Sequence, residues 1–241
     1  WKDYNLITFG CSHTYGHGLP DSIAEDMQSP GVRPSNWAWP TRLQQQVQFN
    51  SVSNQAKSGS SNKMITKAII EYPKFTKQSI VVILWANFNR ATFFKNKKER
   101  LHMLPHMYDS DRLPKSFWIW HGGEKSELQQ KVKIYYEDFY EEFDAKFDQM
   151  IRINYIHAFL KNKGVKSFHL IPEHELKNNK DYFNKFNLDN LNIKTFNWRK
   201  DFNIDDALDV PNPHPGLMSH ALFAKNINEW PGDLDPWLTR Q

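Results

Sequence analysis

The run Ile80-Val81-Val82-Ile83-Leu84 constrains this chain more than any other feature. Five apolar residues in a row, four of them β-branched, leave no polar face, so the segment suits a central parallel strand covered on both sides. Such a strand needs a helical layer above and below it, and the sequence supplies helices in alternation with further strands. Leu6-Ile7-Thr8-Phe9 is a short β-prone run that ends at Gly10. Leu43 and Val47 keep helical spacing after Trp39-Pro40, where proline suits a first helical turn. Residues 49–53 alternate like a half-buried strand, and Ser60-Ser61-Asn62 offers capping side chains ahead of Met64, Ile65, Ala68 and Ile69. Phe139, Phe143, Phe147, Ile151, Tyr155 and Phe159 recur every fourth residue and predict a long helix, with Gly164 as its left-handed cap. Residues 165–171 and 193–196 read as the fourth and fifth strands, and residues 217–230 as a terminal helix. The order predicts a parallel sheet of five strands between two helical layers, as one domain over residues 1–241.

Residues 95–125 break the alternation. They are rich in Lys, Pro, Trp and Gly and hold Phe117-Trp118-Ile119-Trp120, which suits an apolar or sugar-stacking lid, or the packing of a local insertion. The wider composition narrows the function classes. Hydrophobic residues at 39% and aromatics at 15% exclude a disordered chain. The formal charge is only +4, from 31 Lys+Arg against 27 Asp+Glu, and the one basic cluster, residues 95–100, is interrupted by Glu99. No nucleic-acid groove is expected from it. No apolar run is long enough for a membrane span, and residues 1–4 show no signal-peptide block, so a cytoplasmic or virion-associated protein is expected. Cys11 is the single cysteine, which excludes a disulfide framework within the chain and reads as a buried, inert thiol. His13 and His17, like His102 and His106, lie four apart, but neither pair has the intervening Glu of a metalloprotease. Neither a metal site nor a cofactor is expected.

In a parallel sheet the chemistry gathers at the carboxyl ends of the strands. The polar residues that stand out fall there: Gly10-Cys11-Ser12-His13-Thr14-Tyr15-Gly16 after the first strand, Asn54 to Asn62 after the second, and Trp85-Ala86-Asn87-Phe88-Asn89-Arg90 after the third. A fourth block, Asp209-Val210-Pro211-Asn212-Pro213-His214-Pro215-Gly216, precedes the last helix. These parts suffice for acyl transfer. A serine hydroxyl becomes a nucleophile when a neighbouring base takes its proton, and His214, held between two prolines, is suited to that role. The N–H groups of Ser12 and Gly59 and the amide of Asn87 supply three donors for a tetrahedral oxyanion. Arg90 suits an acidic substrate group or an ion pair with the long helix.

The four blocks resemble the SGNH hydrolases, the GDSL-like lipase/esterase family, and the opening Gly-Cys-Ser-x-Thr-x-Gly is similar to a phage- and microbe-encoded branch. The resemblance implies a three-layer α/β/α, flavodoxin-like fold. It implies a serine esterase that cleaves a small ester, such as an O-acetyl group on a carbohydrate, through an acyl-serine. Its site residues would be Ser12 as nucleophile, His214 as base, and Ser12, Gly59 and Asn87 as oxyanion donors, with His13 and Arg90 toward the substrate. Three positions depart from the family pattern. Cys11 replaces the Asp beside the serine. Trp85 stands where a glycine is usual, which leaves Asn89 as an alternative to Asn87. Pro211 stands where the family has the Asp that orients the histidine, so that role falls to Asp209, with Asp206, Asn212 or a backbone carbonyl as alternatives. The same departure leaves open a non-catalytic binding module on this fold, glycan-binding or virion-associated.

Overall fold

The structure, a computed structural model, describes residues 1–22, 31–96, 100–108, 125–177, 184–186, 191–202, 206 and 214–228. Five parallel strands form the main sheet: β1 (Asn5–Phe9), β2 (Ser51–Asn54), β3 (Ser79–Leu84), β6 (Lys166–Pro172) and β7 (Ile193–Phe196). Their spatial order is β2-β1-β3-β6-β7, paired in register from Leu6↔Val52 and Leu6↔Ile80 to Ile83↔His169 and His169↔Ile193. The order reverses between β1 and β3. A doubly wound sheet opens a crevice at such a point, outside the strand ends, because successive crossovers depart to opposite faces.

All six residues of β3 are buried, as its continuous apolar run requires. Ile80, Ile83 and Leu84 have no solvent exposure, and each such side chain contributes roughly 1.5–3 kcal/mol. On one face α2 (Trp39–Val47) packs against the last helix, α8 (Leu217–Asn228); on the other α3 (Asn62–Glu71) packs against the long α5 (Glu142–Asn162). Ser61 caps α3 through its hydroxyl, which accepts from Met64 N–H at 3.4 Å, and Gly164 takes φ +70° after α5.

Two findings go beyond the sequence reading. The aromatic row that announces α5 looks largely outward: Phe139, Phe143, Ile151 and Tyr155 are exposed, while Met150, Ile153, Ile156 and Leu160 fill the core. A strict spacing of four drifts around a helix of 3.6 residues per turn, so that row cannot keep one face on a sheet. Lys146 and Gln149 are also buried on the inner face, Lys146 with its amine on Glu142. Second, the described part of the stretch after residue 90 forms an antiparallel hairpin, β4 (Ala91–Phe94) with β5 (Arg100–Met103). Met103, Leu104 and Met107 pack there with Leu128 and Val132 of α4 (Lys125–Ile134) as a small second core. The expected aromatic lid, Phe117-Trp118-Ile119-Trp120, lies outside the described residues. No helix among the described residues is long and apolar enough to cross a membrane.

Candidate active site

Ser12 opens α1, a single turn (Ser12–Tyr15) just beyond the end of β1. Backbone bonds fix it from both sides. The Cys11 carbonyl accepts from the N–H groups of Thr14 (3.1 Å) and Tyr15 (2.9 Å), and the Ser12 carbonyl from those of Gly16 (2.9 Å) and His17 (3.0 Å). Gly16 closes the turn at φ +80°, a conformation that favours glycine. Gly10 is required for a different reason: a Cβ there would lie 2.2 Å from Thr14 Oγ1 and 3.1 Å from the Leu84 carbonyl oxygen. Cys11 is buried in the main core, with Sγ 3.9 Å from His13 Nδ1.

The loop after β2 is bound to this turn, and it holds the loop after β3 in turn. Asn54 donates from Nδ2 to the Thr14 carbonyl (2.6 Å) and accepts from Ala56 N–H (3.1 Å), while Lys57 N–H reaches the Gly10 carbonyl (3.3 Å). Gly59 follows at φ +71°. Asn62 bridges onward to the third loop: its Oδ1 accepts from Ala86 N–H (2.7 Å) and its Nδ2 donates to the Ala86 carbonyl (2.9 Å). On the far side of Asn87, the buried Glu175 accepts from Phe88 N–H at 3.0 Å. Burial pushes the Glu175 carboxyl above its ordinary range, although Phe88 N–H and His174 pull it back. The position of Asn87 is therefore set by buried polar groups on both flanks. Asn87 itself accepts from Arg90 N–H through its carbonyl (3.3 Å), and its buried Oδ1 accepts no hydrogen bond among the described residues. Trp85 does not crowd this turn, because its indole runs into the core and donates to His169 Nδ1 at 3.2 Å.

His214 arrives from the other end of the chain. Its ring stacks on His17 (4.3 Å between centroids, 18° between planes) and lies 5.8 Å from His13. His13 packs in turn on Trp198 at 4.1 Å and Phe202 at 5.6 Å. Burial lowers the His13 pKa well below the ordinary histidine value, and the neighbouring His214, Arg90, His220 and His17 lower it further. His220 accepts from Trp39 N–H through Nδ1 (3.1 Å), which ties the last helix to α2. Burial pushes its pKa down to about 3; Asp206 opposes that shift while His214 and Arg42 add to it.

Asp206, one candidate to orient His214, is engaged elsewhere. It accepts from Gly216 N–H (3.0 Å), Met218 N–H (2.7 Å), Ser219 N–H (3.2 Å) and the Ser219 hydroxyl, and so caps α8. Burial alone would raise this carboxyl, but those bonds outweigh it and hold the pKa below the usual range. Asp209 and Asn212 lie outside the described residues. The ion pair expected between Arg90 and the long helix is not found among the described residues; the acids of that helix pair with Lys146 and Arg152. His102 is buried between Thr92 (3.1 Å) and Arg100 (2.8 Å), and no group of described residues could hold a metal ion.

The structure thus sets Ser12, Gly59 and Asn87 on the loops beyond three adjacent strands and brings His214 against the Ser12 turn. Sequence reading missed Asn62, Glu175, His17 and Ser58. An asparagine at the first position of an amphipathic helix, ahead of Met64 and Ile65, was the one available signal for Asn62.

Two solved structures share this architecture. A carbohydrate esterase whose active site displays divergent catalytic and non-catalytic binding functions superposes with a TM-score of 0.54 and 10% identity, covering 96% of this chain and 70% of that one. The psychrotrophic esterase EstA from Pseudoalteromonas sp., known in a form inhibited by monoethylphosphonate, superposes with a TM-score of 0.51 and 11% identity, covering 97% and 98%. The chain has the fold of these esterases. No protein-family model and no curated protein matches its sequence.

Proposed function

We propose that this chain is a serine esterase of SGNH type that hydrolyses a small ester, with an O-acetyl group on a carbohydrate as the favoured substrate. The observation that carries the reading is the meeting of distant segments: the His214 ring lies against His17, whose N–H is bonded to the Ser12 carbonyl. In this mechanism His214 takes the Ser12 proton as Oγ attacks the ester carbonyl. The N–H groups of Ser12 and Gly59 and the Asn87 amide then receive the oxyanion. The protonated His214 passes its proton to the leaving alcohol, and water, activated by the same ring, releases the acid from the acyl-serine. His13 and Arg90 face the substrate in this reading, and Asp209 orients His214. The likeness in fold to esterases supports the assignment.

The test is hydrolysis of p-nitrophenyl acetate with Ser12→Ala. Turnover should fall by at least about 10³-fold with the melting temperature unchanged; wild-type turnover would end the proposal. The second reading, a non-catalytic binding module, draws on Pro211 in place of an acid and on the engagement of Asp206 in a helix cap. It also draws on the non-catalytic binding ascribed to the carbohydrate esterase of similar fold. A fluorophosphonate probe separates the two, because only an activated serine takes the label. Absence of label at Ser12 together with glycan binding would favour the module.

A further inference from the structure

Two buried side chains beside the proposed base have no part in the reaction above. His17 follows α1 and Ser58 lies in the loop after β2, and both are less than a tenth exposed. The Ser58 hydroxyl is 2.8 Å from His17 Nδ1. The His17 ring lies nearly parallel to that of His214, and its own N–H is held by the Ser12 carbonyl at 3.0 Å. An imidazole has two soft side-chain torsions. A hydrogen bond to one ring nitrogen inside a packed site fixes the second, and burial restricts the first. His17 therefore presents a fixed aromatic face, anchored to the same peptide that carries the proposed nucleophile.

We infer that His17 and Ser58 form a positioning pair for His214: Ser58 sets the rotation of the His17 ring, and that ring sets the plane in which the base meets the Ser12 hydroxyl. The inference rests on the reading of His214 as base. It acts beside the role proposed for Asp209: Pro211 stands where the resembled family has its orienting carboxylate, and Asp206 is bonded to the start of α8. His17 and Ser58 act through the His214 ring and touch no reacting atom. Among the described residues, the titratable groups near His214 include His13, His17 and His220, with Asp206 beyond His220.

The test follows p-nitrophenyl acetate hydrolysis across pH in His17→Ala, His17→Phe, Ser58→Ala and His214→Ala, with thermal melts and fluorophosphonate labelling alongside. Misplacing a reacting group by about 1 Å costs on the order of 10²-fold, so His17→Ala should lower kcat by about 10–100-fold with little change in KM. It should also displace the acidic limb of the kcat profile, which a purely structural role would not move. His17→Phe keeps a ring face and should recover most of the loss; Ser58→Ala should fall between, about 3–10-fold below wild type. If His17→Ala does not fold, His17→Phe and Ser58→Ala decide the matter through the same pH profile. Wild-type kcat and pH profile in His17→Ala, with His214→Ala inactive, would overturn the pair and leave the base reading intact. Full activity in His214→Ala would remove the base reading and the pair together. Fluorophosphonate attachment to Ser58 in Ser12→Ala would overturn the pair by making Ser58 a nucleophile.

Discussion

The two halves of the candidate site are held by different means. On the serine side, position is a matter of backbone: four N–H groups close the turn at Cys11 and Ser12, glycines occupy points with no room or the wrong φ, and Asn54 and Asn62 bind peptide groups of adjoining loops. On the histidine side, position is a matter of side chains: His214 rests on His17, His13 on Trp198 and Phe202, and Asp206 caps the helix that follows. The Ser12 side chain can be removed without disturbing its turn, whereas His214 depends on rings and caps that single substitutions remove.

Four measurements break or sharpen this contrast. The largest effect falls on chemistry alone: Asn87→Ala should reduce kcat by about 10²–10³-fold if its amide receives the oxyanion. Because Asn62 and Glu175 hold the flanking peptides independently, a denaturant melt should show stability close to wild type. Next, Gly10→Ala drives a methyl group onto Thr14 and the Leu84 carbonyl, and should cost about 1–3 kcal/mol in urea unfolding together with loss of activity. A variant of wild-type stability and rate would show that the serine side is not rigidly set. Third, Asp206→Ala removes the cap of α8 and should cost about 0.5–2 kcal/mol. Here kcat should fall with stability, because Gly216 and His214 precede that helix directly.

The smallest effect on activity is expected of a control remote from both sides, which moves only the pH dependence of stability. His169 is fully buried on β6, and burial pushes its pKa down to about 3, with the nearby His157 adding to the shift. Folded, it stays neutral through the pH range in which an unfolded histidine, with a pKa near 6.5, takes up a proton. Its contribution is therefore intact above about pH 6.5 and is lost as pH falls from there toward about 3, at about 1.4 kcal/mol per pH unit. Urea unfolding of His169→Gln between pH 6 and 4 should show a shallower slope than wild type by that amount. An identical slope would mean that the proton enters the folded core.

Much of the serine side was legible in sequence. Gly10, Ser12, Gly59 and Asn87 follow strands, and a strand announces its own end through loss of apolar pattern and a turn-prone residue. The supports were less visible. Asn62 reads as one more capping residue beside Ser61, and only the pairing of β1 with β3 brings it to Ala86. His17 reads as one more residue of a Gly-rich loop after His13, and only the fold sets its ring on Ser58 and His214 while His13 packs on Trp198. The row from Phe143 to Phe159 announced the helix but not its facing, since periodicity gives an element its type, while the partner surface decides which side is buried.

By itself the sequence determined the alternation of strands and helices, the burial of residues 80–84 and the presence of a serine, a glycine and an asparagine at strand ends, because these depend on neighbours a few residues apart. Tertiary structure alone decided that β1 lies between β2 and β3, that residue 214 meets residue 17, and that Asp206 serves a helix end. Contacts across two hundred residues are chosen by the packing of whole layers, and no local pattern encodes that choice.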